Sequence, residues 1–152
     1  KPSIDLRYAE QHIVAHTQQA IEAHVIEQPN DIFTHLTSQT NFVIIDEIQF
    51  FDRSIISTFK EIFKRNIGVI ASGLFHDYKH EPFTIMPELK NLSEQQAELT
   101  GDCFVCGKTG THTFRKSTNN KEIVLVGGAE FYECRCQQCH TIDTKTQLTD
   151  VF

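Results

Sequence analysis

The spacing of apolar residues changes character several times along the chain. Residues 12–27 (HIVAHTQQAIEAHVIE) hold two short apolar alternations around the turn-prone HTQQ, a pattern of short edge strands. From Pro29 to Ser38, Ile32, Phe33 and Leu36 fall at helical spacing behind Asn30 or Asp31 as a cap, which predicts a short helix. The run NFVIIDE does not alternate and ends in two acids, so it predicts a strand covered by helices on both faces. Between Asp52 and Asn66, Ile55, Ile56, Phe59, Ile62 and Phe63 form one helical stripe. Asp52 can cap its start, and Lys60, Lys64 and Arg65 lie where the helix dipole favours cations. IGVIASGLF then predicts a second buried strand. The crossover has a suitable length for a parallel pair, which gives an α/β core. After a loop from His76 to Met86, Leu89, Leu92 and Leu99 suggest another helix with a ragged apolar face.

From Gly101 the helical period stops, Thr and Gly increase, and cysteines appear for the first time. This predicts two parts: an α/β nucleotide-binding core over 1–100 and a small metal-stapled β unit over 101–152. The 152 residues, 39% hydrophobic and 22% charged with Gly 7 and Pro 4, describe a globular chain and exclude fibrous or low-complexity classes. Apolar runs such as Phe42 to Ile45 fall far short of the roughly 18 residues that cross a bilayer, so no membrane partner is expected. The formal net charge is -6, and the acidic excess lies entirely in the first hundred residues. Nucleic acid is therefore a poor partner, since phosphate neutralisation needs surplus Lys and Arg on one face. Small phosphates remain possible ligands, held by backbone N–H groups, a metal ion and one or two Arg. The chain opens on Lys1-Pro2 rather than Met, so a preceding segment is expected to be missing.

Cys103 and Cys106 form one C-x2-C pair, and Cys136 and Cys139 form another. Two such pairs satisfy the tetrahedral preference of Zn²⁺ with no open position, which predicts a structural site in a reducing, cytosolic compartment. Cys134, the fifth cysteine, and His140, an alternative fourth ligand, are taken as spectators. Gly107-Lys108-Thr109 imitates the end of a phosphate-binding loop, but Asp102 stands where its first glycine should be, so a zinc-knuckle turn is the better interpretation. Asp46 and Glu47 end the apolar strand, where ligands of α/β sheets collect. An Asp there has the position of a Walker B acid serving Mg²⁺, and the next acid can take a proton from an attacking hydroxyl. The required phosphate loop is absent from these residues. Phe50, Phe51, Phe83, Phe131 and Tyr132 could stack on a base but are individually more suited to core packing. Gly127-Gly128 permits either close ligand approach or a tight turn, and none of the eight His is assigned a catalytic role.

In order, KPSIDLRY, VIIDEIQFF, SGLFHDYKHEPF, PEL, the CxxCG knuckle, THTFR, VLVGGAEFYE and the final CxxC resemble the cellular-type (type II) thymidine kinases, from residue 1 to about 140. The resemblance implies a RecA-like, P-loop-type parallel sheet core, N-terminally incomplete here, followed by a zinc-binding β lasso. It further implies ATP as donor, thymidine as acceptor, Mg²⁺, cytoplasmic location and a homotetramer. Carried onto this chain, it makes Glu47 the base and Arg7 the contact to the transferred phosphate. Asp46, Glu47, Ile48 and Gln49 become the nucleotide-contacting strand end. Asp5 would meet the sugar 3′-hydroxyl, and Phe50, Leu74, Tyr78, Phe83, Thr113 and Tyr132 would line the nucleoside site. Ile123, Val124, Leu125, Val126 and Gly127 would present the backbone that reads thymine. Three departures stand out: no GxMxSGKT-like loop, Phe75 where Asp is common, and His80 where Gly is common. The rival expectations are a nucleoside-binding remnant without a phosphate loop and a zinc-ribbon nucleic-acid module.

Overall fold

The computed structural model describes residues 1–4, 12–14, 20–116 and 129–140. These fall into two compact units, one of Lys1–Phe75 with Phe83–Ser93 and one of His76–Pro82 with the described residues from Glu94 onward. Asp5, Arg7, the turn expected at 16–19, Gly128 and the run Ile123, Val124, Leu125, Val126 and Gly127 lie outside the described residues.

In the first unit, β1 (His12–Val14) pairs antiparallel with β2 (Ala20–Glu22), as the two alternations predict. Residues Pro29–His35 form a 3-10 helix. Its start is organised differently from expectation: Asp31 sits inside the first turn and accepts the Gln28 N–H at 2.8 Å, while Asn30 Oδ1 accepts the Thr58 hydroxyl at 2.9 Å. Strand β3 (Phe42–Ile45) runs parallel to β4 (Gly68–Ala71), with Phe42 opposite Gly68 and Ile45 opposite Ala71. The crossover carries α1 (Ser54–Lys64).

Ile55, Ile56, Phe59 and Ile62 of α1 are buried together with Ile26, Ile32, Ile45, Ile48, Phe51, Ile67 and Ile85. Branched and aromatic side chains at period 3.6 thus form the core, each worth about 1.5–3 kcal/mol when fully buried. Asp52 Oδ1 accepts the Ser54 N–H at 2.7 Å. The bonds from the Ser54 side chain and backbone hold the Asp52 carboxyl below its ordinary value. The helix ends as a Schellman motif: Asn66, at φ 56, donates to the Phe63 carbonyl and Ile67 donates to the Ile62 carbonyl. Buried Ile67 supplies the apolar contact that usually accompanies this cap.

Three expectations need correction. Phe63 is 43% exposed, and the stripe is instead completed by Thr58, whose hydroxyl is satisfied by Asn30. Only one face of the parallel pair is covered among the described residues, because Phe42, Ile44 and Ile70 are 63%, 69% and 54% exposed. Helix α2 (Met86–Leu92) stops at Leu92 with Ser93 as its C-cap, which leaves Leu99 outside it and 91% exposed.

In the second unit, β5 (Gly101–Asp102) pairs with β6 (Thr109–Gly110) and β7 (His112–Arg115) pairs with β8 (Tyr132–Arg135), both antiparallel. The Asp77 carboxylate organises the segment 76–82, accepting the Lys79 N–H at 2.8 Å and the Glu81 N–H at 2.9 Å. No helix among the described residues is long and apolar enough to cross a membrane.

Candidate active site and metal centre

The carboxyl ends of β3 and β4 lie side by side because the strands are parallel and in register. Ser72 extends the pairing, its N–H donating to the Ile45 carbonyl at 2.9 Å while its own carbonyl accepts the Ile48 N–H at 3.0 Å. The Ser72 hydroxyl donates to Asp46 Oδ1 at 2.7 Å, which puts a carboxylate and a hydroxyl together at the strand end. These are hard oxygen donors of the kind Mg²⁺ prefers. Glu47 follows in the left-handed region, at φ 53 and ψ 44. A non-glycine residue there carries about 1–2 kcal/mol of strain. Strain of this kind at a polar side chain marks a candidate functional position.

Gln49 is 6% exposed, and its amide donates to Glu47 Oε2 at 2.6 Å and accepts the Leu74 N–H at 3.1 Å. Ile48 is 1% exposed and belongs to the core. Within the expected nucleotide-contacting stretch, Asp46 and Glu47 carry their carboxylates at the strand end, while the Ile48 and Gln49 side chains are buried. Phe50 and Phe83 meet edge to face with centroids 6.3 Å apart. Leu74, also in this unit, is 46% exposed.

Tyr78, Thr113 and Tyr132 lie in the second unit. His140 Nε2 is 3.1 Å from the Tyr78 carbonyl and 3.2 Å from the Thr113 carbonyl. Two acceptors require that nitrogen to carry its proton, so His140 acts as a cross-brace, and it is not part of the thiol cluster. The Arg115 guanidinium lies over the Tyr78 ring, 4.9 Å from its centroid. Sequence reasoning missed Ser72 and Arg115. Ser72 could have been found from the parallel pairing, which places the residue after the second strand beside the first strand's acid. Arg115, 5% exposed, ends the THTFR block, but nothing in that block singles it out.

The sulfur atoms of Cys103, Cys106, Cys136 and Cys139 all lie within 4.8 Å of one another, and Cys106 and Cys136 are 3.7 Å apart. A tetrahedral ion with Zn–S bonds near 2.3 Å needs sulfurs separated by about 3.8 Å, so the donor set and its spacing fit a metal ion such as zinc. Each knuckle folds in the same way: Gly107 N–H donates to the Cys103 carbonyl at 2.8 Å, and His140 N–H donates to the Cys136 carbonyl at 2.9 Å. Gly107 takes φ 69 to do so, placing the phosphate-loop look-alike in the knuckle turn. Hydrogen bonding led by the Cys136 backbone lowers the Cys103 thiol to about 6, while the neighbouring thiols, Cys136 first, push Cys139 up to about 12. As four thiolates, sulfurs this close would need a cation to share their charge. Cys134 is not in this group, and its sulfur lies where side chains on Gly101 or Gly110 would stand.

A column of histidines runs through the same unit. His80 stacks on His76 at 4.2 Å and on His112 at 4.0 Å, and His112 lies 5.0 Å from His140. His80 sits at φ 64, which explains why glycine suits this position. Burial, followed by repulsion from His80, His140 and His76, pushes the His112 pKa below 6.5. A histidine lowered in the folded state contributes stability that is complete above its unfolded value and is lost as pH falls through the folded one. The thermal midpoint of the second unit is thus expected to drop between pH 7.5 and 5.5. His112→Asn should flatten that dependence at equal metal content; an unchanged slope would remove His112 as its source.

A family model described as thymidine kinase matches residues 1–140. The match runs through both units, the acidic strand end in the first and the four-thiol centre in the second, and the chain accordingly belongs to the thymidine kinase family.

Proposed function

We propose that this chain is of the cellular-type (type II) thymidine kinases, which transfer the ATP γ-phosphate to the thymidine 5′-hydroxyl. The observation that carries this is the Asp46–Glu47 pair at the end of β3, with Ser72 from the end of parallel β4 on Asp46 and Gln49 on Glu47, in a chain of this family. Glu47 takes the hydroxyl proton as the oxygen attacks the γ-phosphorus and the bond to the β-phosphate oxygen breaks. ADP and thymidine monophosphate leave. Mg²⁺, when bound, neutralises phosphate charge, and Asp46 with Ser72 would hold it.

By the family resemblance, Arg7 meets the transferred phosphate and Asp5 the sugar 3′-hydroxyl. By the same resemblance, Phe50, Leu74, Tyr78, Phe83, Thr113 and Tyr132 are assigned to nucleoside binding. The backbone of Ile123 to Gly127 reads the thymine edge. A wrong base would leave buried donors and acceptors unpaired, which is how such a site rejects cytosine. The four cysteines hold zinc structurally. A RecA-like core, a homotetramer and a cytoplasmic location complete the proposal.

The test is label transfer from γ-labelled ATP to thymidine by the full-length protein, alongside calorimetric titration of residues 1–152. Thymidine phosphorylation, with thymidine binding to the chain itself, is expected. Preserved thymidine binding without any label transfer would overturn the kinase proposal in favour of a nucleoside-binding remnant.

A further inference from the structure

We propose that Gln49 is a positioning residue for the base: its side-chain amide clamps the Glu47 carboxylate to the backbone of Leu74 and so fixes the orientation in which Glu47 receives the proton. The inference rests on the assignment of Glu47 as that base. It replaces a nucleotide contact for Gln49 with a contact inside the protein.

The geometry defines the clamp from both ends. Glu47 Oε2 is an acceptor and the Leu74 N–H is a donor, so only one orientation of the Gln49 amide satisfies both, with Nε2 toward Glu47 at 2.6 Å and Oε1 toward Leu74 at 3.1 Å. At 6% exposure water offers little competition for either bond, and a charge-assisted bond in such a setting is strong. The carboxylate has roughly four acceptor sites, so a bond from Gln49 does not prevent it from accepting a hydroxyl proton. Backbone geometry adds the need for a clamp. Glu47 stands in a left-handed turn at φ 53, and the next residue, Ile48, is anchored to the Ser72 carbonyl at 3.0 Å. The side chain of Glu47 thus leaves the backbone at a point that is both strained and fixed.

Gly73 completes the device. A β-carbon there would run into Gln49 Oε1 and stand 2.9 Å from Ile48 Cγ2. The absence of a side chain at Gly73 therefore leaves the volume the amide occupies. Phe50, one residue on, meets Phe83, so the turn is held on that side as well.

The experiment is a kinetic double-mutant cycle on the full-length protein with Glu47→Gln, Gln49→Leu and the pair, reading kcat and KM for thymidine and for ATP. Gln49→Leu is expected to lower kcat about 10- to 100-fold, the range that misplacement of a reacting group produces, with both KM values within about twofold. Added to Glu47→Gln it should cost nothing further, because a positioning residue has no role once its carboxylate is gone. Gly73→Ala, which displaces the amide from outside, should reproduce the kcat loss and provides the measurement if Gln49→Leu does not fold. Losses that multiply, or a raised KM for ATP at unchanged kcat, overturn the clamp while leaving the base in place. Undiminished kcat in Glu47→Gln instead overturns the base assignment, and the clamp with it.

Discussion

Glu47→Gln in the full-length protein is expected to lower kcat by about two to four orders of magnitude, the usual contribution of a positioned general base. Metal content and thymidine affinity should stay unchanged, because the substitution keeps the side chain's shape and touches neither knuckle. The backbone supplies a second arm to this prediction. Glu47 occupies φ 53, where a β-carbon costs about 1–2 kcal/mol. Glycine would relieve that strain while adding about 1 kcal/mol of unfolded-state entropy. Glu47→Gly also leaves the buried Gln49 amide without its acceptor, which costs about 1–3 kcal/mol and offsets the relieved strain, so it should fold with a modest loss of stability and yet be inactive. Near-parental kcat in Glu47→Gln would refute this account.

Removal of the metal should have the larger effect on folding. The second unit's described strands are short, two of them only two residues long, and among its described residues the buried apolar positions are Cys103 and Cys136. Such a unit depends on its staple, and structural zinc contributes about 10–16 kcal/mol of apparent folding free energy in comparable small sites. One zinc per chain is expected by elemental analysis. Chelation under reducing conditions, or Cys136→Ser, should collapse the near-ultraviolet tyrosine signal. That signal is a useful reporter because the chain has no Trp and three Tyr, of which Tyr78 and Tyr132 lie in this unit. Far-ultraviolet helicity from α1 should persist. Cys134→Ser should keep its zinc, since that sulfur lies apart from the four. Reduced protein without metal, or with an unchanged tyrosine signal after chelation, would exclude a structural zinc.

Some of these features depend on local order along the chain, and others do not. Helix α1 is legible because a 3.6-residue period commits Ile55, Ile56, Phe59 and Ile62 to one side whatever they pack against. Its one misplaced member shows the limit. Phe63 fits the stripe by hydrophobicity, but Thr58 is buried in its place because Asn30, 28 residues away, accepts its hydroxyl. Leu99 fits the leucine spacing and lies beyond the end of α2, since spacing alone does not say where a helix stops.

The knuckles, the parallel pair and the acid-ended strand were all determined by the sequence, because a C-x2-C turn, a crossover length and an apolar run ending in Asp46-Glu47 are each encoded within a few neighbouring residues. Only the tertiary structure decided which side chains those elements bring together. Ser72 reaches Asp46 from 26 residues away, and Leu74 reaches Gln49 from 25. The segment 76–82 joins the unit of the four clustered cysteines, where His80 stacks on His112. Such contacts depend on register and on the space left by small residues such as Gly73, and neither is a property of any one stretch of chain.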